Sequence, residues 1–170
     1  MRFFTTEGPV NCQDHYCLPP LARFDLADVM ALIAQKKYFL LHAPRQTGKT
    51  TCLLALATYL NQTGQVHAVY ANIEGAQAHR ENVDKGMTTV ITDIAAWART
   101  LAHDVDAELL ARTVLDTTTP GSALGIFLTR WCEQIDKPLV LMLDEVDALV
   151  GDTLISLLRQ LRAGYPNRPG

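Results

Sequence analysis

A chain of 170 residues suits a single domain that removes roughly 70% of its unfolded surface from water, which sets aside the small disulfide scaffolds. With 48% hydrophobic and 19% charged residues it is too apolar for an intrinsically disordered segment, and a formal net charge of −3 provides no global basic field of the kind that holds nucleic acid by neutralising phosphates. No run reaches the ~18 apolar residues of a membrane span, and the start, with Glu7 and no long apolar stretch, does not read as a signal peptide, so a soluble, cytoplasmic chain is expected.

Residues 1–24 carry Gly8-Pro9, a polar run over 11–15 and Pro19-Pro20, which predict an extended or irregular lead-in. Within it, Cys12, His15 and Cys17 are metal-ligand types, but no second Cys or His pair stands at zinc-ribbon spacing to complete four ligands. Together with Cys52 and Cys132 the cysteines read as reduced thiols. Asp25 is a plausible N-cap, and Leu26, Val29, Met30, Leu32 and Ile33 recur at helical spacing up to Gln35. Residues 38–42 form a short apolar run ended by Ala43-Pro44, with the length and composition of a buried parallel strand.

A helix is expected over residues 50–60, closed by Asn61 and Gly64, then a second strand over 66–73. Residues 87–103 read as a helix with Val90, Ile91, Ile94, Trp97, Ala98 and Leu101 on one face. Residues 117–121 read as a loop, and Ser122 can cap a helix running to about Ile135. Residues 139–143 are a further buried strand, directly before Asp144-Glu145. A last helix, opened by Gly151-Asp152 and running over 154–162, is closed by Gly164 and Pro166. Strands alternating with helices imply an α/β fold whose parallel sheet is covered on both faces.

The segment Ala43, Pro44, Arg45, Gln46, Thr47, Gly48, Lys49, Thr50, Thr51 fits G-x-x-x-x-G-K-[ST] at every position but the first, where alanine stands for glycine. In that pattern backbone N–H groups wrap phosphate oxygens, the lysine reaches the outer phosphates and the hydroxyl serves Mg²⁺. Alanine is tolerable at the first position where φ is negative, since glycine is required only for positive φ or close approach to a ligand. The loop follows an apolar strand and opens a helix, so its amides and the helix dipole point at one anion. The plainer alternative is a tight turn at Gly48-Lys49 with a solvated lysine.

A carboxylate at the C-terminal end of a buried strand lies at the edge where open α/β sheets bind ligands. Asp144 there can hold Mg²⁺ opposite Thr50, and Glu145 is placed to orient or deprotonate an attacking water. Taken alone, the two acids could equally be caps or loop charges. Asp147 reads as a solvated turn residue, Arg45 as either a phosphate contact or a solvated loop arginine, and Arg159 with Arg162 as a charged helix face. Trp97 and Trp131 read as core, and Tyr16 with Leu18 and Pro19 as a segment that could flank an adenine.

The two motifs, H-A-P-R-Q-T-G-K-T-T and L-V-L-M-L-D-E-V-D, with the lead-in over residues 14–20 and Asn72-Ile73-Glu74, resemble the AAA-like domain of bacterial P-loop ATPases, related to the signal-transducing ATPases with numerous domains. The resemblance implies a P-loop NTPase three-layer sandwich over residues 25–170 after the lead-in 1–24, with ATP and Mg²⁺ as cofactors. It makes Lys49 the Walker A lysine, Thr50 the magnesium ligand, Asp144 the Walker B aspartate and Glu145 the catalytic glutamate. In that class the sheet order is 5-1-4-3-2, so a strand following the Walker B helix inserts between the strands ending at His42 and Leu143. The chain given stops at Gly170, before such a strand, a sensor residue or an arginine finger. The expectation is therefore the N-terminal portion of a longer protein, its domain incomplete at the C-terminus.

The function expected is ATP binding with Mg-dependent hydrolysis to ADP and phosphate. The alternative is a nucleotide-gated switch or binding module with little hydrolysis of its own, whose ATP and ADP states a partner reads; a homo-oligomer or a signalling partner is the partner class expected. A GTPase fits less well because no N-K-x-D guanine-reading motif occurs. A phosphate loop does not name its acceptor, but the adjacent acids favour water over a kinase substrate. Neither membrane nor nucleic acid is indicated.

Overall fold

The computed structural model describes residues 3, 11, 13–44 and 46–165. It is a mixed α/β arrangement, mostly helical, around a two-stranded parallel sheet. After a 3-10 turn at Pro20–Arg23 come α1 (Leu26–Ala34) and α2 (Lys49–Thr63), then β1 (His67–Asn72). A second 3-10 turn at Glu74–His79 leads to α3 (Val83–Ala102), α4 (Asp106–Thr117) and α5 (Pro120–Gln134). The chain continues through β2 (Leu139–Asp144), a short turn at Val146–Ala148 and α6 (Gly151–Ala163).

Local chemistry sets most of these limits. The Asp25 carboxylate accepts from the Asp28 N–H at 3.1 Å and caps α1, as its sequence position predicts. The Asn82 side chain does the same for Lys85 at 3.0 Å, which starts α3 four residues before Met87. α2 ends at Gly64 in the left-handed region, φ 71°, where glycine carries no Cβ penalty. Thr119 precedes Pro120, which opens α5 at a first-turn position that needs no N–H. Residues 106–117, unassigned in the sequence reading except at the start of the expected loop, form α4. Its buried positions Ala107, Leu110, Ala111 and Val114 follow helical spacing.

β1 and β2 align in register, from His67 opposite Leu139 to Asn72 opposite Asp144. Both faces of β1 are buried. Val69 and Ala71 join the large core that α3, α4, α5 and α6 build, which includes Ile91, Ile94, Phe127 and Trp131. Ala68, Tyr70 and Met142 pack on the other side with Val29, Leu56, Ala57 and Leu60 of α1 and α2. Asp104 ties the far end of the sheet together: one oxygen caps α4 through the Ala107 N–H at 3.0 Å and the other accepts the Trp131 indole N–H at 2.8 Å. His67 Nε2 lies 3.2 Å from that second oxygen without hydrogen-bond alignment.

Two expectations change. Residues 38–42, expected as a buried strand, form no strand and belong to no sheet. Tyr38 is 58% and Leu40 83% exposed. Hydrophobic composition favours a strand here, but strand formation needs a neighbour to take the backbone hydrogen bonds, and among the described residues none pairs with this segment. The second change concerns the thiols: Cys52 and Cys132 are free, as expected, whereas Cys17 is in a disulfide. A disulfide sulfur is not a thiolate ligand, and His15 Nδ1 already accepts from the Asn11 N–H at 3.1 Å. Cys12 lies outside the described residues. Among the described residues no helix is long and apolar enough to cross a membrane.

Candidate functional site

The loop before α2 folds back on itself. Thr47 Oγ1 donates to the Pro44 carbonyl at 2.7 Å, and Lys49 Nζ donates to the carbonyls of Ala43 at 2.9 Å and Pro44 at 3.4 Å. Ala43 is not among the residues of positive φ, so alanine meets no backbone conflict at the position where the pattern has glycine. Gly48 sits at φ 80° and opens α2, its carbonyl accepting from the Cys52 N–H at 3.0 Å. A Cβ there would also stand 2.8 Å from the Arg23 guanidinium. Gln46 is left-handed without being glycine, φ 58°. Thr50 and Thr51 occupy the first turn of α2, and Arg45 lies outside the described residues.

Asp144 closes the site from the sheet. Its side chain lies on the face of β2 that Met142 shares with α2, because residues two apart on a strand point the same way. Thr50 in the first turn of α2 therefore reaches it: Thr50 Oγ1 donates to Asp144 Oδ2 at 2.7 Å across 94 positions of sequence. The Tyr70 hydroxyl donates to the same oxygen at 3.1 Å, and the Glu145 N–H donates to Oδ1 at 3.1 Å. Asp144 is only 5% exposed, and three donors are what make a buried carboxylate tolerable.

Glu145 follows in the left-handed region, φ 60° and ψ 30°. Its burial, then the carboxylates of Asp144, Asp147 and Glu74, raise its carboxyl above the ordinary 4.5, against the pull of Lys49. Burial, followed by the Asp144 charge, pushes the Tyr70 phenol upward, so it stays a donor at neutral pH. Burial likewise raises the Cys52 thiol, with Arg23 opposing.

The structure thus brings together Ala43, Pro44, Gln46, Thr47, Gly48, Lys49 and Thr50 from one motif with Asp144 and Glu145 from the other. Tyr70 and Arg23 also belong to this neighbourhood, although neither carries a motif signal. Tyr16, considered for an adenine, is 57% exposed. The donor set suits a hard cation: the Thr50 oxygen keeps lone pairs while it donates, and the carboxylate has four acceptor directions with three in use. Among the described residues no group of three or more His, Cys, Asp or Glu is placed to hold a metal ion. Compared with family models, curated proteins and solved structures, the chain matches none.

Proposed function

We propose that this chain is a P-loop ATPase domain of the AAA-like group, binding ATP with Mg²⁺ at residues 43–51 and hydrolysing it to ADP and phosphate. The observation that carries this reading is the 2.7 Å hydrogen bond between Thr50 and Asp144. Residues of two motifs 94 positions apart in sequence meet there in the pairing that phosphate-loop chemistry requires. The finer fold in this reading is a three-layer sandwich, supported by the burial of β1 on both faces.

In this reading the loop amides and the N-terminal end of α2 take the phosphates. Lys49 has three N–H donors, of which Ala43 and Pro44 take two, leaving one for a phosphate oxygen. Thr50 and Asp144 hold Mg²⁺, which when bound supplies charge neutralisation on the phosphate oxygens. Glu145 orients the attacking water and accepts its proton.

The test is a thermal melt with and without ATP and Mg²⁺, beside Lys49→Ala, followed by phosphate release from Glu145→Gln. Ligand at about 100 times its dissociation constant stabilises by about 2.7 kcal/mol, and Lys49→Ala is expected to abolish that shift. Glu145→Gln is expected to keep the shift and lose turnover. An equal shift in Lys49→Ala refutes the site, and a shift with no turnover in the parent chain points to the nucleotide-gated switch instead.

A further inference from the structure

Tyr70 stands in the middle of β1, opposite Met142 and two residues short of the Asn72–Asp144 pair. Its side chain lies on the α2 face, in one cluster with Leu56 and Leu60. Its ring meets Trp97 of α3 edge-on, centroids 5.1 Å apart at 89°, and the residue is 1% exposed. A ring held this way has no room to swing its hydroxyl elsewhere. The hydroxyl is spent on Asp144 Oδ2, the same oxygen that Thr50 occupies. The alternative reading, a core tyrosine that needed some acceptor, accounts for the ring. It does not account for a second donor on the one carboxylate oxygen shared with the proposed magnesium ligand.

We propose that Tyr70 is a positioning residue: its hydroxyl fixes the rotation of the Asp144 carboxylate and so sets how tightly the site takes a divalent cation together with nucleotide. The inference rests on the ATPase reading above. Carboxylate rotation is a soft torsion, so without the hydroxyl Oδ2 is held by Thr50 alone, with only the Glu145 N–H left on Oδ1. Thr50 is then asked both to ligate the ion and to orient its neighbour. Loss of a group that orients a metal ligand costs about 10–100-fold in metal affinity. Tyr70 touches neither phosphate nor water in this scheme, so the effect falls on the metal and not on the nucleotide.

The experiment compares the parent chain with Tyr70→Phe, using the β,γ-imido analogue of ATP as probe. Binding is measured in EDTA, then as Mg²⁺ is titrated in. Tyr70→Phe is expected to bind the analogue in EDTA within about twofold of the parent while requiring about tenfold more Mg²⁺ for half-maximal stabilisation. A Mg²⁺ midpoint within about twofold of the parent overturns the proposal and leaves Tyr70 a core residue. A parent chain that does not bind the analogue at all overturns the ATPase reading itself, and Tyr70's role with it. Should Tyr70→Phe fail to fold, the Tyr70 ring carbon bearing oxygen is followed by NMR in the parent. It is expected to shift when Mg²⁺ joins the bound analogue and to stay put when the analogue is added in EDTA. The reverse pattern, or no shift with Mg²⁺, refutes the proposal.

Discussion

Asn61→Ala should destabilise the chain by opening the outer edge of β1. β1 spends the backbone groups of His67 on β2's side of the sheet, where its N–H reaches the Pro138 carbonyl at 2.9 Å. Ala68, one residue on, points the other way. There the Asn61 side chain acts as a one-residue strand: its Nδ2 donates to the Ala68 carbonyl at 2.8 Å and its Oδ1 accepts the Ala68 N–H at 2.9 Å. Ala68 is 0% exposed, and each backbone group left without a partner in such a place costs about 1–3 kcal/mol. Asn61 itself is half-buried, so water can follow its removal and hold the loss to about 2–4 kcal/mol for the pair. Alanine returns about half a kcal/mol through helix propensity. Urea unfolding should therefore show a lower midpoint at unchanged slope, with faster hydrogen exchange at the Ala68 amide. Asn61→Asp keeps the acceptor but sets an oxygen against the Ala68 carbonyl, and should lose at least as much. An Asn61→Ala stability within about 0.5 kcal/mol of the parent, with Ala68 still protected, would refute the edge-closing account.

Burial raises the Asp93 carboxyl above its ordinary 3.8, so the folded state holds this proton more tightly than the unfolded one. That contribution is fully present below pH 3.8 and is lost as pH rises through the folded value. Asp93→Asn should therefore exceed the parent in stability at neutral pH and converge with it in acid, and a constant gap between denaturation curves across that range would refute the assignment. Gly86 lies where a Cβ would come within 2.5 Å of Thr153 Cγ2 and 2.7 Å of its Oγ1, and that hydroxyl is bound to the His79 carbonyl at 2.6 Å. Gly86→Ala should destabilise by about 1–2 kcal/mol, the overpacking outweighing the helix propensity gained. Gly121→Ala, with nothing within 4 Å of the new Cβ, should be neutral or slightly stabilising, and equal effects at the two sites would overturn the contrast.

Periodicity located most of the elements because their buried positions are large and evenly spaced, as with Val90, Ile91 and Ile94 in α3 or Leu124, Phe127 and Trp131 in α5. α4 escaped although its spacing was in view: two of its four buried positions are alanines, whose weak hydrophobicity blurs the stripe. Boundaries moved where a cap outranked the apolar pattern, as at Asn82 and at Thr119-Pro120. Residues 38–42 show the limit of composition, which measures suitability for burial and says nothing about whether a partner strand is beside them. In the site, Lys49, Thr50, Asp144 and Glu145 were legible because each motif is local. Tyr70 was not, since a tyrosine in a strand reads as core, and only the register of β1 on β2 carries its hydroxyl to Asp144.

Backbone strain separates these residues from the rest of the described chain. Four described non-glycine residues have positive φ: Lys36, Gln46, His103 and Glu145. Lys36 follows the last turn of α1 and His103 ends α3, and a left-handed residue just past a helix is an ordinary way to satisfy its last carbonyls. Gln46 and Glu145 end no helix. One lies inside the loop before Lys49 and the other directly after Asp144, each in a conformation that costs a side-chain-bearing residue about 1–2 kcal/mol. Each is also fixed by its neighbours: Thr47 Oγ1 bridges back to the Pro44 carbonyl across Gln46, and the Glu145 N–H is held on Asp144 Oδ1. Glycine at either position would remove the cost, so folding alone gives no reason for glutamine and glutamate there. Strain of this kind persists where the surrounding structure over-determines it, and among the described residues it falls on both sides of the Thr50–Asp144 hydrogen bond and nowhere else that helix ends do not explain.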